Sequence, residues 1–313
     1  MLPSVAVGTM NFGKRTAEPE AKLIVKRALE RGLTWFDTAN VYENGESEKI
    51  LGRALREVPP AERAKVIVAS KVGLGRVGRN AEGLARATVL AACDASLARL
   101  GTDALDLYYL HAPDRATPIE ETLGALKELL AAGKIRAWGI SNYASWEVLE
   151  MNLAADQLGM ARPVIAQQIY NMLVRQLEIE WFKFTAKHPI HTTVYNALAG
   201  GLLAREHVQE SIPAGSRFDK NTMYQRRYWS DAMFAFTKSL RAIADDEKLS
   251  LASLAYAWLK GRPGVGSVLV GPASVAQLDA ACDGLATTLS AEANRRIDEA
   301  HQAFTGTDAS YAR

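Results

Sequence analysis

Three observations predict the fold. Short apolar, often β-branched runs alternate eight times with longer segments of helical period. The runs are apolar on both sides, as strands buried on two faces must be. A chain of 313 residues, 48% hydrophobic and 23% charged, suits one large globular unit. Together they predict an α/β protein, a parallel (β/α)8 barrel of the TIM type, as a single domain over residues 1–313. A doubly wound sheet is the competing arrangement, and the count of eight decides for the barrel.

In chain order the predicted strands are Ser4–Gly8, Thr34–Asp37, Lys65–Lys71, Leu105–His111, Arg136–Ser141, Val164–Gln167, Thr192–Tyr195 and Ser267–Gly271. Helical spacing follows at Glu20–Arg31, where Ile24, Ala28 and Leu29 share a side, and at Ser47–Arg56. It recurs at Leu84–Leu100, Ile119–Ala132, Ser145–Leu158, Leu177–Lys187, Ala232–Lys248 and Val275–Leu285. Gly32, Gly101, Gly133 and Gly159 each follow a helical run, where a left-handed residue ends a helix most easily. Pro118 fits the first turn of its helix, with Thr117 as N-cap. Two additions are expected: a long polar loop after strand seven, Ala204–Ser230, and extra helices at Leu249–Lys260 and Ala291–Phe304. Loops of that length in compact domains are usually lids or binding loops.

Composition excludes several classes. Lys+Arg 37 against Asp+Glu 35 gives a net charge of +2 with no basic block, which argues against nucleic acid as a partner. No apolar run approaches the ~20 residues of a membrane span, and the N-terminus has no basic-then-apolar leader pattern. A cytoplasmic protein with no membrane association is expected. Cys93 and Cys282 lack metal-type spacing and are expected as reduced core thiols. His188 and His191 precede strand seven, on the stability face of a barrel, so no metal is expected there.

Barrel chemistry collects at the C-terminal strand ends. Here those ends carry Gly8 and Met10, Asp37, Lys71, His111, Ser141 and Asn142, Gln167, Tyr195 and Gly271. Asp and Lys facing a semi-enclosed mouth are economical only if they neutralise each other. Tyr42 lies five residues beyond Asp37, within reach of the same mouth. Tyr42, Lys71, Asp37 and His111 suggest acid–base work on a carbonyl. A phenol that donates its proton near neutrality needs about 4 kcal/mol of extra stabilisation of its anion. One ammonium at about 4 Å supplies that at an effective dielectric of ~20. Lys71 is therefore the tuning charge, Asp37 keeps it charged, and His111 orients the substrate oxygen. Gly73-Leu-Gly-Arg-Val-Gly78 matches a dinucleotide fingerprint, but Asp94 falls mid-helix instead of ending a strand, so a barrel loop explains it better.

These residues resemble those of the aldo-keto reductases. Asp37-Thr-Ala-Asn-Val-Tyr42, Lys71 in Val-Ala-Ser-Lys-Val and His111 in Leu-Tyr-Tyr-Leu-His are similar to the family's catalytic tetrad. Gly139-Ile-Ser-Asn-Tyr143 resembles its strand-five motif, which implies that Ser141, Asn142 and Gln167 hold the nicotinamide carboxamide. Tyr195 resembles the aromatic that stacks on the nicotinamide, and Asn196, Leu198 and Gly200 would lie along the pyrophosphate. Gly8 and Met10 join the cofactor-facing set. After strand eight the chain keeps the family's Gly271, Ser274 and Gln277, but has Ala280 and Ala281 where Glu and Asn are usual. Arg205 and Arg217 are the candidates for the phosphate charge.

Within the family the chain looks closest to the aflatoxin-aldehyde (succinic semialdehyde) reductase group. Its shared stretches include His111-Ala-Pro-Asp114, Gln225-Arg-Arg-Tyr-Trp229 and the terminal Tyr-Ala-Arg. The resemblance assigns a substrate carboxylate to Arg227 and Arg313, with Tyr228, Trp229 and Met10 as pocket walls. It implies NADPH, with NADH as the alternative, and a small-molecule aldehyde as the partner. Self-association as a homodimer stays open. The implied activity is reduction of aldehydes, carboxylate-bearing or dicarbonyl ones included, with Tyr42 as general acid. The alternative is a catalytically weak, nicotinamide-nucleotide-sensing regulatory subunit of the same fold. A metal-dependent barrel hydrolase is the third reading.

Overall fold

The side-chain alternation of a strand decides which residues fill a barrel and which face its helices. In the computed structural model, which describes residues 2–77 and 80–307, eight parallel strands close into a barrel. They are β1 (Val5–Gly8), β2 (Trp35–Asp37), β3 (Ile67–Val72), β4 (Leu105–Leu110), β5 (Ile135–Ser141), β6 (Ile165–Ile169), β7 (His191–Tyr195) and β8 (Ser267–Val270). Strands adjacent in sequence are adjacent in the barrel, and β8 returns to β1.

The helices among the described residues are α1 (Glu18–Glu30), α2 (Glu46–Arg56), a short α3 (Pro60–Arg63), α4 (Arg86–Leu100), α5 (Ile119–Ala131) and α6 (Ser145–Gln157). They continue with α7 (Trp181–Lys187), α8 (Thr222–Tyr228), α9 (Asp231–Asp246), α10 (Leu251–Lys260), α11 (Val275–Ala286) and α12 (Ala291–Thr305). No helix among these residues is long and apolar enough to cross a membrane.

The chain divides into two compact units. One takes the residues up to Gln168 with His188–Thr193 and Leu269–Leu278; the other takes Ile169–Lys187, Val194–Val268 and the residues from Asp279. In the first unit, Ala6, Trp35, Ala69, Leu107, Tyr109 and Ile165 form a buried cluster, with Ile67, Ala137 and Leu269 packed against it. Each comes from a different strand or from alternate positions of one, so this cluster fills the barrel. Gly139 belongs to the same layer. A Cβ there would stand 2.5 Å from Ile165 Cγ2 and 2.9 Å from the Tyr109 ring, so only glycine lets these large neighbours meet.

Several expectations are adjusted. Gly32, Gly101, Gly133 and Gly159 all take positive φ after their helices, as expected. Pro118 is itself the N-cap residue of α5, and the Thr117 hydroxyl donates to Asp114 instead of capping the helix. Cys93 is fully buried, and burial pushes its thiol up to about 12, whereas Cys282 is only partly buried. The expected loop Ala204–Ser230 contains α8 and an aromatic core. Phe218 and Tyr228 are fully buried, and Trp229 lies 4.7 Å from Phe218 between ring centroids. Asn221 caps α8 through Tyr224 N–H, and Tyr224 and Tyr228 recur one turn apart, a short helical signal that polar composition hid.

Candidate active site

Five of the positions named for the mouth in the first unit stand two residues beyond a residue of the barrel-filling cluster. Gly8 follows Ala6, Asp37 follows Trp35, Lys71 follows Ala69, His111 follows Tyr109 and Gln167 follows Ile165. Side chains at i and i+2 share a strand face, so the apolar interior ends in this polar layer. Backbone pairing continues past the strands: Thr38 N–H donates to Ala69 O, Asn40 N–H to Lys71 O and His111 N–H to Val72 O. These bonds bring the segment that carries Tyr42 over the end of β3.

Lys71 is fully buried and ion-paired with Asp37. Its ammonium also donates to Thr38 O at 2.8 Å and hydrogen-bonds Tyr42. Burial alone would push the lysine down, but the attraction of Asp37 and then of Tyr42 outweighs it, and the ammonium is held above the usual lysine range. The charge lies 5.3 Å from the Tyr42 ring centroid and 5.6 Å from that of Tyr109, so two aromatic faces help to solvate it. Asp37 is held in turn by the Gln167 amide nitrogen at 3.0 Å.

The Tyr42 and His111 rings meet edge to face, with centroids 5.9 Å apart. Burial, and then the Lys71 charge, hold His111 well below the usual histidine range. The imidazole is therefore neutral near pH 7 and cannot be the ionised acid of the site. Tyr42 opens a turn, Tyr42–Gly45, in which Glu43, Asn44 and Gly45 all have positive φ. Such backbone costs about 1–3 kcal/mol at each non-glycine residue and is kept where neighbours over-determine it.

The residues named for a nicotinamide carboxamide fit that group. Ser141 is buried and its hydroxyl accepts from Asn142 Nδ2 at 3.1 Å, which leaves the hydroxyl proton free to donate to a carbonyl. Asn142 takes a left-handed φ of 66° and its amide also donates to His111 O at 2.9 Å, so it ties β5 to β4. The buried His111 Nδ1 has no hydrogen-bond partner among the described residues. Gln167 gives its amide nitrogen to Asp37, which leaves its amide oxygen as the group suited to accept from a carboxamide.

The other named residues are placed as follows. Met10 is 41% exposed beyond β1. Gly271 follows β8, and a Cβ there would meet open space. Ser274 and Gln277 bond each other at the start of α11, where Glu20 accepts Val275 N–H at 2.8 Å. In the second unit Tyr195 ends β7, and Leu198 precedes a short turn, Ala199–Gly201. Asn196 donates to the Tyr228 hydroxyl at 2.7 Å and accepts Gly200 N–H at 2.7 Å. Tyr228 is fully buried with a second donor, Asn171, so its hydroxyl serves this scaffold. The Tyr224 ring would stand 2.6 Å from a Cβ on Gly200, which gives that glycine a packing role. Arg217 and Arg227 lie over the Tyr224 ring at 5.6 and 5.9 Å, Arg205 is exposed, and Trp229 donates to Gln209 O. Ala281 is buried, so packing accounts for the small residue there. Arg313 falls outside the described residues, as does Gly78.

The glycine loop after β3 holds a carboxylate of its own chain. Glu82 accepts from Gly73 N–H at 2.8 Å and Gly75 N–H at 3.0 Å, and from Asn40 Nδ2 at 2.5 Å. No three His, Cys, Asp or Glu side chains form a metal set among the described residues.

Histidine burial predicts an acid-sensitive fold. His111, His191, His207 and His301 are all held below the usual value, burial being the largest cause in each. The unfolded chain therefore takes up protons that the folded chain refuses, and stability falls as pH drops below about 6.5. Urea midpoints measured from about pH 8 to pH 5 should decline, and His111→Gln should reduce that decline; an unchanged slope in the variant contradicts the neutral imidazole.

Comparison with known proteins fixes the class. Residues 4–302 match the model of the aldo/keto reductase family. The chain belongs to that family of nicotinamide-dependent oxidoreductases, which generally use NADPH. It is 35% identical over 295 residues to aldo-keto reductase family 7 member A3 of Homo sapiens, covering 88% of this chain and 87% of the relative. Aflatoxin B1 aldehyde reductase member 2 of Homo sapiens is also 35% identical over 295 residues, covering 88% of this chain and 80% of the relative. A probable voltage-gated potassium channel subunit beta of Arabidopsis thaliana is 34% identical over 272 residues, covering 86% and 83%.

Proposed function

We propose that this protein reduces small aldehydes, carboxylate-bearing or dicarbonyl ones included, to alcohols with NADPH, NADH being the weaker alternative. The carrying observation is the Lys71 ammonium: it is ion-paired with Asp37, hydrogen-bonded to Tyr42 and set against a neutral His111. Of the two groups that could give a proton to a carbonyl oxygen, the ammonium favours the anion of Tyr42 and penalises the cation of His111. Tyr42 is therefore the general acid, and His111 orients the substrate oxygen by a neutral hydrogen bond.

A nicotinamide, when bound, would supply the hydride for the carbonyl carbon. Ser141, Asn142 and Gln167 are the residues suited to its carboxamide. The family resemblance gives Gly8, Met10, Tyr195, Asn196, Leu198, Gly200, Arg205, Arg217, Gly271, Ser274 and Gln277 to the remainder of the cofactor. It gives the substrate carboxylate to Arg227 with Arg313, and the pocket walls to Met10, Tyr228 and Trp229. The same reading has the enzyme act in the cytoplasm, as one barrel domain over residues 1–313, with a homodimer as its candidate assembly.

A panel of aldehydes with and without a carboxylate, assayed with both cofactors, tests the reading. Expected is faster turnover with NADPH, and a rise in KM for succinic semialdehyde in Arg227→Ala about tenfold larger than for an uncharged aldehyde. Equal effects on the two substrates exclude the carboxylate role. A second reading, the nucleotide-sensing subunit, draws on the relatives named as potassium channel subunits. Tight NADPH binding with no turnover across the panel favours it.

A further inference from the structure

Tyr42 lies only four residues ahead of α2, joined to it by a turn in which Glu43, Asn44 and Gly45 are left-handed. The reach of the phenol is thus set by where α2 begins. Its N-cap residue, Gly45, has no side chain to cap the helix. The first turn is fixed by tertiary contacts instead, and they converge on the strand ends that carry the site.

Ser47 is fully buried. Its hydroxyl lies 2.8 Å from Thr9 Oγ1 and 3.1 Å from Thr38 Oγ1, and it donates to Thr9 O at 2.8 Å. Thr9 follows β1, and Thr38 supplies the carbonyl that accepts from Lys71. Glu48 is 0% exposed. One of its oxygens accepts from Ser70 Oγ at 2.5 Å and the other from Arg99 Nε at 2.6 Å. Ser70 is the neighbour of Lys71 in β3, pointing to the opposite face. Arg99, from α4, lies across Gly45, where a Cβ would stand 2.7 Å from Arg99 Cδ and Nε. The turn that carries Tyr42 is therefore tied to β1, β2, β3 and α4 through two adjacent buried polar residues.

A carboxylate buried to this degree is a poor source of stability, since apolar side chains of like volume often serve as well or better. What a charged, directional pair supplies is a fixed position. We infer that Ser47, Glu48 and Arg99 are positioning residues for the reduction, holding Tyr42 at the distance from which the Lys71 ammonium acidifies it. This rests on Tyr42 being the general acid, as proposed above. A displacement of about 1 Å at a reacting group can cost on the order of a hundredfold in rate.

The test compares Glu48→Gln, Arg99→Gln, Arg99→Lys and Ser47→Ala with the parent chain, with Tyr42→Phe alongside. For each, kcat and KM for one good aldehyde are measured across pH, with NADPH affinity by fluorescence quenching and folding by thermal melts. Glu48→Gln and Arg99→Gln are expected to lower kcat about 10- to 100-fold, with KM and NADPH affinity within about twofold. The alkaline fall of the reduction rate should move to higher pH, because the phenol, which faces Asp37, Lys71 and His111, loses part of the ammonium's influence. Arg99→Lys should recover most of the rate. Ser47→Ala deletes one hydroxyl and should give a smaller change in the same direction, which covers the case in which a charge variant does not fold. Folded variants with parental kcat and alkaline limb overturn the inference. So does a loss of rate that follows melting temperature with the limb unmoved. If Tyr42→Phe keeps its turnover, the acid assignment itself has failed. If Tyr42→Phe is inactive while the Glu48 and Ser47 variants behave as parent, the clamp alone has failed.

Discussion

Tyr42→Phe is expected to lower the rate of aldehyde reduction by about 10²- to 10⁴-fold, the usual worth of a positioned acid, while NADPH affinity stays within about twofold. The substitution removes one oxygen and keeps the ring, so the edge-to-face contact with His111 and the face presented to Lys71 are preserved. Single-turnover reduction followed by the loss of NADPH absorbance measures the effect at the chemical step. The neutral His111 should not take over as acid, since burial and the Lys71 charge both oppose its protonation. The residual rate in Tyr42→Phe should accordingly show no dependence on a group titrating near pH 6.5. Turnover close to that of the parent removes Tyr42 from the mechanism.

Strand periodicity made most of this site legible. Asp37, Lys71, His111 and Gln167 stand out because each closes an apolar run, and the next inward position of such a run opens into the mouth. What periodicity could not give was pairing across distance. Gln167 and Asp37 are separated by 130 residues, and nothing local in the sequence points to their hydrogen bond. Glu48 is hidden for another reason. It lies on the buried side of α2 with Leu51 and Leu55, and a lone charge on an apolar helix face was the available signal. The segment 204–230 is the long insertion after β7 that its composition suggests, but composition hides its core. Its polar residues read as a loop, while Phe218, Tyr224, Tyr228 and Trp229 are spaced to build a small core around α8. Glu82, likewise, gives the glycine-rich loop after β3 the anion that its motif suggested, from within the chain.

Lys71→Met should damage both stability and chemistry, and the two effects can be separated. The substitution leaves Asp37 buried without its cation, with the Gln167 amide still donating to it. Removing one partner of a buried pair typically costs about 3–5 kcal/mol, which should appear as a lower urea midpoint with little change in slope. In the parent chain the lysine is held above its unfolded value, so its contribution is complete below about pH 10 and is lost only as pH rises through the folded value. The deficit of the variant comes from the Asp37 carboxylate, left buried without its cation. Adding Asp37→Asn to Lys71→Met should therefore recover much of the stability near pH 7. It should recover none of the turnover, since no cation then faces Tyr42. A double variant that regains activity along with stability shows that the pair holds the fold together without tuning the acid. One that regains stability alone assigns the ammonium to the chemistry.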